Sequence, residues 1–149
     1  MKYGQREVIE LTVYDTDGNK VSHLDTLKDC SLDDNGLFLS DSLVDFDFLK
    51  FIGRVESKSI SDYEAEILPE KYSTTIVFNK SASRFCKLTG KGLIRSQDSG
   101  LDVEFLFEIP NAEIKQMYRI QANNEVTIHD FYFKIHSYNS QGDTYKIHI

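Results

Sequence analysis

Apolar and polar residues alternate along most of this chain with a period of two, the period of a β-strand and not that of a helix. The pattern is clearest in "LDVEFLFEI", whose apolar phase is Leu101, Val103, Phe105, Phe107 and Ile109. The segments "EVIELTVYD", "YSTTIVF" and "TYKIHI" alternate in the same way. Such alternation is typical of strands that bury one face, so each segment is predicted to be a strand. In "VTIHDFYFKIHSY" the apolar phase slips by one residue near His129 and Asp130, which predicts a β-bulge there.

Two segments carry apolar residues at helical spacing. One short helix is predicted in "PNAEIKQMYRIQ", where Asn111 can cap a stripe formed by Ile114, Met117, Tyr118 and Gln121. The segment "SLVDFDFLKFIG" fits both periods, and a strand flanked by loop is favoured because aromatic residues dominate it. The closing segments, Phe131 to Tyr138 and Thr144 to Ile149, are joined by "NSQGD", which predicts a hairpin with its turn at Gly142.

These elements together predict a mainly β protein, an antiparallel β-sandwich or barrel of roughly seven to nine short strands with one short helix. The chain has 149 residues, 40% of them hydrophobic, which suits a single domain over residues 1–149 with its own core. No stretch approaches the roughly 20 apolar residues of a membrane span, and the start "MKYGQREVIE" lacks the apolar run of a signal peptide. We therefore expect no membrane partner, and synthesis in a cytoplasm without secretion.

The chemistry-bearing residues do not form a recognisable catalytic motif. The segment "LTGKGL" has Gly90 and Lys91 but lacks the earlier glycine and the hydroxyl of a phosphate loop, so its glycines are predicted to serve a turn between strands. The four histidines are too scattered to specify a metal site, and no Gly-x-Ser-x-Gly surrounds a serine. Cys30 and Cys86 stand in unrelated contexts, which favours packing roles over a disulfide or zinc. We predict no catalytic residue, no metal and no cofactor, and we expect a protein that is not an enzyme.

The acidic stretch "YDTDGNKVSHLDTLK" resembles a calcium loop at first sight. Counted from Asp15, it offers oxygen ligands at the first, third and fifth positions, but Lys20 replaces the required glycine and Thr26 the required glutamate. The same residues suit a hairpin turn, because Asp and Asn cap their own backbone and glycine supplies a positive φ. The predicted turn residues are Asp15, Asp17, Gly18 and Asn19.

One basic strip stands out in a chain whose net charge is −7. From Asn79 to Gln97 there is no acidic residue, and the positive side chains are Lys80, Arg84, Lys87, Lys91 and Arg95. One interpretation is a solvated strand-turn-strand face, and the other is docking onto an acidic neighbour. The candidate on an identical subunit is the Asp-rich segment from Asp25 to Asp47, with the acidic side chains Asp25, Asp29, Asp33 and Asp34. Nucleic-acid contact ranks lower, because the net charge is negative and the strip contains a single aromatic residue, Phe85.

The first 32 residues or so, about a fifth of the chain, carry a family resemblance. The motifs are Lys-Tyr-Gly, Arg-Glu-Val, a Tyr-Asp turn followed by Gly and Lys, and Leu-Asp-Thr-Leu-Lys, in this order. The matching residues are Lys2, Tyr3, Gly4, Arg6, Glu7, Val8, Tyr14, Asp15, Gly18, Lys20, Leu24, Asp25, Thr26, Leu27 and Lys28. In this order they resemble the N-terminal segment of structural proteins from the tails of tailed bacteriophages. In that family a glycine-rich run follows, whereas "DDNGLFLSDSLVDFDF" takes its place here.

The resemblance implies a non-enzymatic virion subunit of a tail tube or a tube-like ring at the neck or baseplate. Such proteins look like β-sandwiches or barrels whose identical subunits form stacked rings and contact other virion proteins. DNA passes through their lumen during ejection without specific binding. We accordingly expect assembly in the cytoplasm of a host bacterium and a place in the virion. Residues 1–6, including Tyr3 and Arg6, are expected to be an N-terminal arm that orders on a neighbour.

Two alternatives remain open from the sequence. The first is a head decoration or other accessory virion protein with the same β architecture. The second is a small β-barrel module that binds a nucleotide or oligonucleotide through the basic strip.

Overall fold

The computed structural model describes residues 3–32, 35–43, 45–56, 74–115, 119–122 and 127–149. In chain order its elements are β1 (Tyr3–Tyr14), β2 (Lys20–Leu24), β3 (Leu27–Leu32), β4 (Gly36–Asp41), α1 (Phe46–Ile52), β5 (Arg54–Glu56), β6 (Thr75–Val77), β7 (Ser83–Ser96), β8 (Asp102–Lys115), β9 (Arg119–Ala122), β10 (Thr127–Ile135) and β11 (Lys146–His148). Within these ranges nine strands form one antiparallel sheet, and β5 and β6 form a separate two-stranded sheet. The predicted fold class, mainly β and antiparallel with one short helix, is confirmed.

The main sheet curls so that its two ends approach each other. Its order is β2-β1-β7-β8-β10-β4-β3, with β9 beside β10 and β11 beside β8. Although no ladder joins β1 to β3 in the described ranges, the two strands contact each other. The alternating strands therefore turn their apolar phases toward a common interior, as in a sandwich or barrel.

The long hairpin of β7 and β8 supplies much of the core. Phe107 and Ile109 are fully buried and Phe105 is nearly so, as their alternation predicts. Leu101 belongs to the same sequence phase, but it precedes the strand and is 68% exposed. The turn between the two strands contains Gly100 at φ +69°, a backbone conformation that disfavours other residues.

The helix predicted after Asn111 is wrong, because β8 continues through Lys115 and β9 begins at Arg119; residues 116–118 lie outside the described ranges. Leu88 pairs with Ile109 and Cys86 with Ala112, so Lys87 of β7 stands opposite two residues of β8, Pro110 and Asn111. This bulge moves the buried phase from Ile109 to Ala112. The predicted stripe begins at Ile114, which is buried as a residue of β8 and pairs with Arg84 of β7 and Phe133 of β10.

The helix occurs instead in "SLVDFDFLKFIG", where a strand was favoured. Asp45 is its N-cap, with Oδ1 accepting from the Asp47 N–H at 2.8 Å. The Gly53 N–H closes the last turn by donating to the Leu49 carbonyl at 2.9 Å. Phe48 and Ile52, four residues apart, are the buried face, so capping and tertiary packing outweigh the β propensity of the aromatic residues.

The bulge predicted near His129 and Asp130 is also wrong. The pairings of β10 with β9 and with β4 run through both residues without a register shift. His129 lies in the inward phase and is only 9% exposed. A polar residue in a core-facing position therefore produced the apparent slip of the apolar pattern.

The closing turn is as predicted, but its strands pair differently. Gly142 has φ +86°, and the Tyr138 N–H donates to the Asp143 carbonyl at 2.9 Å. The last strand, β11, then pairs with β8 and not with β10. Of the segment "YSTTIVF", the described strand is β6, and Tyr72 and Ser73 lie outside the described ranges.

The predicted N-terminal arm begins outside the described ranges, at residues 1–2. Its remainder, Tyr3 to Arg6, is the start of β1, and the backbone from Tyr3 to Gln5 pairs with the end of β7 in the same chain. The segment is therefore not a free arm in the isolated chain. That it contacts a neighbouring subunit stays a prediction.

Candidate functional site

The acidic stretch between β1 and β2 is the predicted hairpin turn. Asp15 Oδ1 accepts from the N–H groups of Asp17 and Asn19 at 3.0 and 2.9 Å. Gly18, with φ +85°, donates its N–H to the Asp15 carbonyl at 3.1 Å. These contacts use the Asp15 carboxylate to close the turn. In the described part of the chain, no group of three or more His, Cys, Asp or Glu residues has a geometry that would hold a metal ion.

Most of the basic strip lies on β7, and two of its side chains are paired with acids of the same chain. Lys91 Nζ lies 3.5 Å from Glu10 Oε1 on β1 and 3.6 Å from Glu104 Oε1 on β8. Arg95 Nε lies 3.3 Å from Asp102 Oδ1. Neighbouring strands thus supply the negative charge that the sequence of the strip lacks, which leaves less positive charge for phosphates or a partner.

The other members of the strip differ in their surroundings. Arg84 donates to the Gly53 carbonyl at 3.3 Å and stands over the Phe51 ring at 5.8 Å, so it fastens β7 to the end of α1. Lys80 lies in the turn before β7, and Lys87 lies at the β8 bulge. Both are exposed, and neither forms an ion pair with a residue of the described ranges.

The glycines of "LTGKGL" do not form a turn, which corrects the prediction made for them. Gly90 and Gly92 lie in the middle of β7. Gly90 pairs with Phe107, and a Cβ at Gly90 would collide with the Phe107 ring. The glycine is therefore required by a cross-strand aromatic side chain that fills its place.

Above these residues a groove of about 550 Å³ crosses the outer face of β1, β7 and β8. Thr12 and Thr89 are small residues of its lining. Leu106 of β8 and His148 of β11 line the side of the groove where these two strands pair. The charged groups of its lining have partners within the chain: Glu10 contacts Lys91 and His23, and Glu108 Oε2 lies 3.5 Å from His148 Nε2. The rest of the groove surface is mainly apolar.

The acids of the Asp-rich segment are distributed over several elements of the fold, unlike the basic strip. Asp25 lies in the two-residue connection between β2 and β3, and Asp29 lies on β3. Asp33 and Asp34 lie outside the described ranges. Two further acids of this segment, Asp41 at the end of β4 and Asp45 at the N-cap of α1, are brought next to Asp25 by the fold.

These three carboxylates line a pocket of about 230 Å³ at the corner where the chain crosses from β2 to β3. We call it the acidic pocket, lined by His23, Leu24, Asp25, Thr26, Asp41, Leu43 and Asp45. Hydrogen bonds inside the chain position two of the acids. Asp45 Oδ2 accepts from the Ser22 hydroxyl at 3.0 Å, and Asp41 Oδ1 accepts from the Leu43 N–H at 3.0 Å and from the Thr26 hydroxyl.

Asp41 is the unusual member of the acidic pocket. Asp41 is only 1% exposed, and its Oδ2 has no hydrogen-bond partner among the described residues. A buried carboxylate oxygen without a donor is costly, and such groups are few in folded proteins. The sequence analysis named Asp25 among the candidate interface residues but did not name Asp41. A usable signal was present, because Asp41 continues the inward phase of Leu37 and Leu39 in "GLFLSD".

In the described ranges, shifted pKa values occur at Cys30, Cys86 and Glu113, all outside the acidic pocket. Burial, and then the charge of Asp29, raise the pKa of Cys30 to about 12, and burial raises the pKa of Cys86 to about 12. Both thiols are free, and Cys86 lies in the core. The pKa of Glu113 is lowered, first by a hydrogen bond from the Ser83 hydroxyl at 2.7 Å and then by His136 at 2.9 Å.

No protein-family model and no curated protein matches this chain. Within the described ranges the helical residues are those of α1, and seven residues are too few to span a membrane.

Proposed function

We propose that this protein is a structural subunit that assembles with copies of itself, and that it serves in a bacteriophage particle as a tail tube or tube-like ring. The assignment to a phage rests on the resemblance of the N-terminal segment. Support for self-assembly comes from the surface of the β structure, where apolar side chains are exposed although their exposure does not stabilise a monomer.

The observation that carries the proposal is the two-stranded sheet of β5 and β6. Its two strands pair only with each other in the described part of the chain, and a two-stranded sheet alone is marginally stable at best. Val55 on β5 is 49% exposed and Phe78 after β6 is 37% exposed. A small sheet of this kind gains stability when a neighbouring subunit covers its apolar side chains.

An exposed aromatic pair on the main sheet adds a second apolar surface. Phe38 of β4 and Tyr132 of β10 are direct cross-strand partners, and they are 39% and 52% exposed. Two separate apolar surfaces on one subunit suit a chain that meets more than one neighbour, as a subunit of a ring or stacked rings does.

Sedimentation velocity over a wide concentration range, together with negative-stain electron microscopy, tests the proposal. We expect rings or tubes for the natural chain and loss of assembly for Val55→Asp. Leu106→Asp is the matched control, because Leu106 is 44% exposed but lies on β8 of the main sheet and not on the two-stranded sheet. A protein that stays monomeric at high concentration and forms no ring would contradict self-assembly.

The place in the particle needs a separate measurement. Mass spectrometry of separated heads and tails is expected to detect the protein in the tail fraction. Detection in heads alone would favour a decoration role over a tail tube.

A further inference from the structure

The acidic pocket has the features of a binding site for a positively charged group. Asp25 and Asp45 are exposed acids of its lining, and Asp41 lines it too, 1% exposed and with no hydrogen-bond partner for Oδ2 among the described residues. A buried charge is poorly screened by water, so Asp41 adds to the negative potential in the pocket although solvent hardly reaches it. The pocket therefore attracts a cation more strongly than three surface acids would.

The surroundings of the pocket favour a protein side chain over a free ion. Leu43 in the lining is 64% exposed, and Phe46, which follows Asp45 in the chain, is 53% exposed. Apolar residues around a charged centre exclude water from that contact in protein interfaces. The described acids do not converge as a metal-binding group, whereas an ammonium group makes separate hydrogen bonds to several oxygens.

A lysine side chain of a second copy of the protein can supply the positively charged group. Lys91 and Arg95 are held by acids of their own chain, but Lys87 is exposed and has no ionic partner in the described ranges. Lys87 stands on a paired strand, whereas Lys80 lies in a turn, so less conformational entropy is lost when Lys87 is fixed in a contact. A pocket of about 230 Å³ is several times the share of one water molecule, roughly 30 Å³, and has room for the end of a lysine side chain.

We propose that the acidic pocket of one subunit binds the ammonium group of Lys87 of a second copy. This contact rests on the self-assembly proposed above and specifies one of its interfaces. It joins two different surfaces of the chain, the corner between β2 and β3 and the bulged part of the β7–β8 hairpin. Repetition of such a contact links one subunit to the next.

The test is a charge exchange followed by sedimentation equilibrium. Asp25→Lys and Lys87→Glu should each weaken association by about tenfold or more, and the double variant should recover most of the loss. Asp17→Lys and Lys20→Glu are the matched controls, because both residues are exposed and lie outside the pocket and the strip. They should leave the association constant within about twofold of the natural value.

Asp41→Asn supplies an independent measurement, because it keeps the Oδ1 acceptor and removes the charge. Association should weaken while the fold remains intact by circular dichroism. If the natural protein associates but Asp25→Lys, Lys87→Glu and Asp41→Asn all behave like the controls, the pocket contact is wrong and self-assembly stands. If association requires millimolar Ca²⁺ or Mg²⁺, the pocket holds a metal and the lysine contact is wrong. If the natural protein does not associate, both proposals fail.

Discussion

Phe48 gives the sharpest test of how α1 is held in the fold. Its side chain is fully buried, with its ring 4.8 Å from Phe131 in an edge-on contact and 6.3 Å from Phe133 in a stacked one. Phe46 is two residues earlier on the same helix and is 53% exposed. The two residues are a matched pair, since their chemistry and helix are the same and their burial is opposite.

Phe48→Ala should lower the free energy of unfolding by about 4 kcal/mol, the middle of the range for a buried Phe truncated to Ala. The two lost ring contacts are part of this value, at roughly 0.5–1.5 kcal/mol each. Phe46→Ala should lower it by under about 1 kcal/mol, because the contact it loses is a cation–π contact with Lys50, 4.9 Å from the ring centroid. Replacing Phe by Ala raises helix propensity at both positions, so that effect largely cancels in the comparison.

Urea unfolding followed by far-UV circular dichroism measures both variants, which suits a chain without tryptophan. Residues two apart on a strand face the same way, whereas on a helix they do not. If the two variants lost similar stability, the segment would behave as the strand that its aromatic residues favour, and the reasoning from α1 would be refuted. A difference of about 3 kcal/mol supports the helix.

Three further predictions follow from single contacts. Gly90→Ala should destabilise the protein by about 1–3 kcal/mol, because its Cβ meets the Phe107 ring, and unchanged thermal stability would contradict that close contact. Asp15→Ala should cost about 1 kcal/mol in urea unfolding through loss of the β1–β2 turn contacts, and Asp15→Asn should retain most of the stability. Cys30 and Cys86 should react slowly with a disulfide reagent at pH 8 in the folded protein and rapidly in denaturant, because burial raises their pKa values to about 12; rapid reaction of Cys86 in the folded protein would contradict its burial.

The local sequence pattern was enough to predict a strand where one face of the strand is buried and the other is solvated. The alternation through Phe105, Phe107 and Ile109 predicted β8 because each step of two residues returns a side chain to the same face. The β1–β2 turn was predictable for a similar reason. Asp15, Gly18 and Asn19 meet the demands of the turn with their own backbone and side chains, without help from distant residues.

Pattern misled where a distant contact decided the outcome. The stripe predicted after Asn111 begins at Ile114, which is buried as a residue of β8, and His129 in an inward position imitated a bulge. In α1 the aromatic residues favour a strand locally, but Phe48 finds Phe131 and Phe133 of β10 to pack against only as part of a helix. Differences in β propensity of about 1 kcal/mol are small compared with the stabilisation gained by burying an aromatic ring.

In the two charged segments, too, the local sequence predicted the charges, and contacts between distant residues decided their surroundings. The sequence predicted a basic strip and an acidic segment, but charges that are distant in the sequence lie on neighbouring strands. Glu10 and Glu104 neutralise Lys91 from either side of β7, which no reading of the strip alone reveals. Conversely, Asp25 and Asp41 meet in one pocket because the chain turns a corner between β2 and β3.

The sequence by itself determined the β class of this protein, its principal strands and its tight turns, because these depend on interactions between residues close along the chain. Only the tertiary structure decided which segment became the helix, which lysines of the basic strip have no ionic partner among the described residues, and that Asp41 is buried in a pocket that Asp25 and Asp45 also line. Burial and Coulomb interaction depend on distance in space, and pairing of remote strands sets that distance.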